Sequence, residues 1–262
     1  MKKSLPLIAI IVFSLSVVGN VFSGEAVYQK ETLTQVSTID ALLLGIYDGE
    51  TTIGELKKLG DFGLGTFNGL DGEMLAVDGV FYQIGSDGKA RQPDPGVKTP
   101  FAAVTFFDVD SCIPLDPGLS YDSFQKHVDS LIPTPNIFYA IMIEGKFGAV
   151  KTRSVPKQEK PYRLLKEIVK EQPVFNFDKV EGTMVGFRCP PYVKGINVPG
   201  YHLHFLTKDG KSGGHVLDFT IERAMLKIDE TTRYSLILPE DEQFYGAKLE
   251  ADKQDDLKKV ER

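Results

Sequence analysis

Gly200–Val216 reads GYHLHFLTKDGKSGGHV, and its alternation decides how the surrounding chain folds. On a strand, successive side chains point to opposite faces, so Tyr201, Leu203 and Phe205 share one face and His202 and His204 the other. Asp209–Gly214 (DGKSGG) is turn chemistry, and the run from His215 to Ile221 (HVLDFTI) starts a second strand. A reversal there brings His215 beside the H-x-H pair. Two histidines alone would read as a coincidence on a half-exposed strand. The third, across a turn, turns the reading toward a tetrahedral metal site with one position open, the catalytic rather than the structural arrangement.

The β pattern extends outward from this hairpin. GLGTFNGL, GEMLAVDG and VFYQIG are separated by NGLDG and VDG, with SDGKA following, a dense set of hairpin signals. Phe101 to Phe107 reads as another strand, and GEAVYQKETL as a lead-in strand. Ile137 to Glu144 and Phe147 to Arg153 read as a hairpin turning at Glu144-Gly145-Lys146. Val174 to Phe177, Val180 to Phe187, Tyr201 to Thr207, His215 to Ile228 and Arg233 to Leu238 form a second β-rich stretch.

Helices are few and short. Ser37-Thr38 caps the apolar run IDALLLGIY, and Thr52 with Glu55 makes a capping box for a helix through Lys58. Tyr121 to Ile132 has helical spacing. Arg163 to Gln172 is amphipathic, with Leu164, Leu165, Ile168 and Val169 on its apolar side, and Pro173 ends it. This pattern predicts an α+β (mixed α/β) chain of two sheet-based domains with mixed and antiparallel β-sheets. The seam falls after that helix: residues 24–172 form an N-terminal mixed-sheet domain, and residues 173–262 a β-rich domain carrying the histidines and a C-terminal tail. The last stretch, EADKQDDLKKVER, read alone, is a solvated run of charge.

Residues 1–23, MKKSLPLIAIIVFSLSVVGNVFS, read as a cleavable signal peptide, with an uncleaved membrane anchor as the alternative: Lys2 and Lys3, an apolar run from Leu5 to Val18, then small residues at the cleavage position. The run is short against the roughly 20 apolar residues of a spanning helix, so the expected mature protein is secreted or periplasmic, with no membrane partner after cleavage. Its removal leaves 28 basic and 36 acidic residues, moving the net charge from −6 to −8. That balance argues against nucleic acid or an anionic membrane as partner. Cys112 and Cys189, each near a proline in an expected loop, fit a disulfide or two free thiols equally well.

Several chemistries are excluded. Gly210-Lys211-Ser212 lacks the glycine spacing of a phosphate-binding loop, and the chain has neither a G-x-S-x-G elbow nor H-E-x-x-H. His127 reads as an ordinary helix-surface histidine. Glu73, after a turn, and Arg153, at a strand end, each have a bland reading as solvated polar residues.

Three segments are similar to a known family: GTFNGLDGEM (Gly65–Met74), KTRSVPKQEKPY (Lys151–Tyr162) and PGYHLHFLTKDGKSGGHVLDF (Pro199–Phe219). They resemble the alpha-acetolactate decarboxylases, and the likeness runs in order from about Val27 to the C-terminus. The resemblance implies decarboxylation of 2-acetolactate to acetoin and carbon dioxide, with zinc on His202, His204 and His215. It further implies a metal-proximal glutamate at Glu73, a substrate-facing arginine at Arg153 and a pocket threonine at Thr66. A glutamate near the chain end folds back to the metal in the family, and Glu261 fits that position best, with Glu250 as competitor. The resemblance also implies a homodimer with the metal site between the two domains of each subunit. Against this stand two alternatives from other classes, a non-catalytic exported metal-binding protein and a zinc hydrolase. Glu73 and Arg153 beside the histidines favour the decarboxylase.

Overall fold

The computed structural model describes residues 31–261; the leader reading and most of the expected lead-in strand lie outside them. In chain order, β1 (Thr32–Val36) leads into α1 (Ile39–Leu43), which Thr38 caps by accepting the Ala41 N–H. The short β2 (Thr51–Thr52) and α2 (Ile53–Leu56) follow, and the Thr52/Glu55 capping box forms as the sequence predicts. β3 (Phe62–Thr66), a 3₁₀ turn (Asn68–Leu70), β4 (Glu73–Val77) and β5 (Val80–Ile84) then make consecutive hairpins. The β4–β5 reversal is the two-residue pair Asp78-Gly79, both in the left-handed region that such a tight turn needs. β6 (Ala90–Arg91), β7 (Lys98–Thr99), β8 (Ala102–Thr105), β9 (Ser111–Leu115) and α3 (Tyr121–Leu131) lead to the long β10 (Phe138–Arg153). After α4 (Leu165–Ile168) come β11 (Val174–Cys189), β12 (Gly200–Thr207), β13 (Gly213–Thr231), β14 (Arg233–Ile237), α5 (Glu242–Tyr245) and α6 (Gln254–Val260).

These strands make two principal sheets. One has the order β14-β1-β8-β3-β4-β5-β6 and is antiparallel except for the parallel β1–β14 pair, so it is mixed. The other has the order β10-β11-β12-β13-β9, and β10 also pairs with β13, so its four long strands form a closed circuit. The α+β class with few short helices holds. The sheets, however, do not divide at the seam drawn after Gln172. β9 and β10 lie before that seam yet belong to the second sheet, while β14 lies after it and pairs with β1 in the first. The seam helix is also shorter than its sequence spacing predicts, with α4 passing into a 3₁₀ turn over Val169–Glu171.

The expected hairpin at Glu144-Gly145-Lys146 is instead the middle of β10. Gly145 is there for close approach: a Cβ on it would come within 2.2 Å of the Arg223 carbonyl on β13. β11 likewise runs through the break expected near Asp178-Lys179. The first part of β10, residues 138–143, is buried on both faces, which its continuous apolar sequence requires. Phe138, Ala140 and Met142 meet Leu33, Phe62 and Leu64 of the first sheet, whereas Tyr139, Ile141 and Ile143 pack inside the second with Phe147, Phe205 and Phe219. A third apolar cluster joins α1, α4 and α6 through Ile39, Leu165, Leu257 and Val260. Both cysteines are free and lie in strands rather than loops, Cys112 exposed on β9 and Cys189 buried at the end of β11.

Candidate active site

The β12–β13 hairpin brings the histidines together as alternation predicts. His204 pairs directly with His215, and His202 lies two residues along the same face. Their ring centroids are 4.9–5.3 Å apart, and one nitrogen from each ring falls within 4.8 Å of the others. A β-bulge completes the arrangement. Lys151 pairs with Asp218 but Thr152 with Val216, so Leu217 is an extra residue and Arg153 comes to face His215. Without that slip Arg153 would lie opposite Val216, and His215 would point to the other side of the sheet.

The donor set suits a metal. All three histidines are buried, and burial holds their pKa values below the ordinary range, His202 at about 3, which keeps them in the neutral form that ligates. A carbonyl can only accept, so His204 donates Nδ1–H to the Met74 carbonyl at 2.7 Å. That fixes the tautomer and leaves the Nε2 lone pair directed inward. His204 Nε2 and His202 Nδ1 are buried nitrogens with no hydrogen-bond partner. His202 Nε2 lies 3.1 Å from His215 Nδ1, and a cation among these rings would satisfy the orphaned His204 Nε2 lone pair.

Charged groups from three other elements converge on the rings. Arg153, at the end of β10, is 4% exposed and donates from Nη1 to Glu73 Oε1 at 2.6 Å and from Nη2 to the Val260 carbonyl at 3.0 Å. Glu73 starts β4, and its other oxygen lies 3.6 Å from His204 Nε2. Glu261, just after α6, places Oε2 3.9 Å from His202 Nε2 and 3.8 Å from His215 Nε2. With neutral imidazoles these are contacts rather than ion pairs. Burial pushes both carboxyls up to about 7, against the opposing pull of Arg153. The tail is therefore not a solvated run. Leu257 and Val260 seat α6 in the third apolar cluster, and Lys166–Asp256 (2.9 Å) and Lys194–Asp252 (2.7 Å) pin its approach. Glu250, the competitor for the tail position, is exposed and lines a separate hollow with Asp40 and Lys194.

Arg153, Glu73, Glu261 and the three histidines line one partly open cavity. Thr66 lines it too, with its hydroxyl donated to the Gly72 carbonyl at 2.7 Å. His127 sits half-buried on α3 and does not line the cavity. Sequence reasoning missed the apolar half of the lining, which includes Leu42, Leu70, Phe101, Val155 and Leu165. It also missed the Met74 carbonyl, since a backbone acceptor carries no residue signature. For Leu70 there was a signal: an apolar side chain inside the turn NGLDG.

Comparison with known proteins gives a consistent answer. A family profile described as alpha-acetolactate decarboxylase matches residues 33–251. The alpha-acetolactate decarboxylase of Methanosarcina mazei is 50% identical over 233 residues, covering 89% of this chain and 81% of that protein. The crystal structure of the Bacillus subtilis strain 168 enzyme superposes with a TM-score of 0.86 at 44% identity, covering 88% of this chain and 99% of that one. A Staphylococcus aureus protein described as similar to alpha-acetolactate decarboxylase, at 30% identity, gives 0.82. The family profile ends ahead of α6, so the placement of Glu261 rests on geometry.

Proposed function

The chain belongs to the alpha-acetolactate decarboxylase family, and on that premise we propose that it is a zinc-dependent carboxy-lyase converting 2-acetolactate to acetoin and carbon dioxide. The observation that carries the zinc assignment is the buried, neutral histidine triad, with the inward His204 Nε2 left without a partner. His202, His204 and His215 would hold the ion. When bound, zinc supplies a Lewis acid toward the substrate's hydroxyl and ketone oxygens.

The remaining roles follow from what each side chain offers. Loss of carbon dioxide leaves an enediolate, and fixed positive charge nearby lowers the barrier to forming it. Arg153 is planar and permanently charged; its Nε is unpartnered, and its Nη2 is held only by a backbone carbonyl that a substrate oxygen can replace. Proton return needs an acid that is part-protonated near neutrality, and burial gives Glu73 and Glu261 that property. Of the two we assign the proton to Glu73, whose carboxyl is fixed by Arg153 and by the Val155 N–H. Glu261 closes the cavity from the tail side, and Thr66 lines its floor as a substrate-binding group. The apolar wall excludes water, so that the protein acid rather than solvent delivers the proton. The leader-like residues 1–23 support export, and the resemblance supports a homodimer; we propose both.

Purified, zinc-loaded protein should form acetoin from racemic acetolactate well above the spontaneous rate, measured by colorimetric acetoin assay. No excess over the spontaneous rate would refute the assignment. The tail is tested by truncation after Leu257, which removes Val260 and Glu261. Turnover should fall by about 10²-fold or more, the lower range for loss of a positioned acid or electrostatic group, while zinc content stays unchanged. An undiminished rate would remove Glu261 from the site.

A further inference from the structure

Among the described residues, four that are not glycine hold a left-handed backbone: Ser37, Leu70, Asp78 and Lys179. Asp78 occupies a tight hairpin turn, a setting that tolerates it, and Lys179 is exposed on β11. Leu70 is different. It is a branched apolar residue at φ 55°, it is 2% exposed, and of the four it alone lines the active-site cavity. The left-handed positions on either side of it, Gly69 and Gly72, are glycines. A glycine at position 70 would follow the same path without steric conflict, so what the strained position retains is the leucine side chain.

The turn that carries Leu70 is tied down from several directions. The Asn68 side chain accepts from the Gly49 N–H and donates to the Gly49 carbonyl, and the Gly69 N–H donates to the Tyr47 carbonyl. The Gly69 carbonyl accepts from Gln158 N–H, and the Asp71 carbonyl from the Gln83 side chain. Thr66 closes the loop through Gly72. Strain of this kind persists only where the surroundings over-determine it. The isobutyl group of Leu70 is therefore a rigid wall. Other apolar walls of the cavity are carried on short helices, with Leu42 on α1, Leu165 on α4 and Val260 on α6.

We propose that Leu70 is a specificity-determining residue: its side chain sets the largest alkyl group that the quaternary carbon of a 2-hydroxy-3-oxo acid can bring into the cavity. The inference rests on the decarboxylase reading of the site. That carbon bears a carboxylate, a hydroxyl, an acyl group and one alkyl group. The carboxylate, the hydroxyl and the acyl oxygen would have polar partners in the metal site, Arg153 and Glu73. The alkyl group has none, and the rigid apolar wall between Thr66 and Glu73 is where it fits.

The test compares kcat/KM for acetolactate with that for its 2-ethyl and 2-propyl homologues in the full-length, zinc-loaded protein. Wild type should discriminate against the propyl compound. Leu70→Ala should improve the propyl-to-methyl ratio by about tenfold or more, the scale at which apolar pockets resolve a methylene. Leu42→Ala, an equal deletion from another wall, should leave the ratio near the wild-type value. Leu70→Gly gives a second variant that suits the backbone and should shift the ratio the same way, so the test survives if the alanine variant folds poorly. An unchanged ratio in the Leu70 variants, with all homologues slowed alike, would overturn the proposal and leave Leu70 as packing. An equal shift in Leu42→Ala would overturn it as well. Absence of turnover on every homologue by wild type would refute the decarboxylase reading itself, a separate result.

Discussion

Replacing His204 by alanine should remove zinc and acetoin formation together while leaving a folded chain. The ring is 1% exposed and sits centrally, paired with His215 across the strand and facing Glu73. Loss of one of three protein ligands should weaken zinc binding by more than the ~10–100-fold typical of losing an outer-shell partner. The variant also leaves the Met74 carbonyl without its donor, which costs about 1–3 kcal/mol. Against the ~5–15 kcal/mol stability typical of globular proteins, the fold should survive. Metal analysis after dialysis should find little zinc, and the acetoin rate should drop to the spontaneous level. Full zinc occupancy in the variant would remove His204 from the ligand set.

Arg153→Ala should separate metal binding from catalysis. The guanidinium contacts Glu73 and the Val260 carbonyl but is no ligand, so zinc content should stay near one per chain. Turnover should fall by about 10²–10³, the range seen when a fixed electrostatic donor is removed from an active site. There are two reasons for a large effect. The developing negative charge loses a permanent cation, and Glu73 loses the group that opposes the burial effect on its pKa. Glu73 would then titrate higher than it does beside the guanidinium. The pH profile of kcat should move upward accordingly. Removing one member of a buried pair also costs stability, about 3–5 kcal/mol in general, so thermal unfolding should be followed alongside. Near-normal turnover in a folded variant would exclude Arg153 from the chemistry.

The parts of the site that were legible in the sequence are those set by local rules. Strand alternation placed His202 and His204 on one face, and turn residues returned His215 to them. The partners are set by tertiary events with no local signal. Arg153 reaches the histidines because Leu217 is an extra residue in β13, and a bulge of that kind is invisible in an apolar run. Glu261 lies in a charged tail whose docking depends on two buried apolar residues, Leu257 and Val260, and on lysines some 60 to 90 positions earlier. Its role came from the family resemblance alone. Gly145 illustrates the opposite failure. A glycine between charged residues reads as a turn, yet here it lets two strands approach. The fold class survived this error because merging two short strands into β10 leaves the chain β-rich. The division into halves did not follow the sheets, because β14 returns to pair with β1 across the whole length of the chain.

The proposed function requires that the histidine triad bind zinc and that the zinc be needed for decarboxylation. The most direct measurement is a chelator titration of the purified protein, with zinc content and acetoin formation read from the same samples. The two should fall in proportion, and added zinc should restore both. Protein stripped of metal that still formed acetoin at the full rate would contradict it.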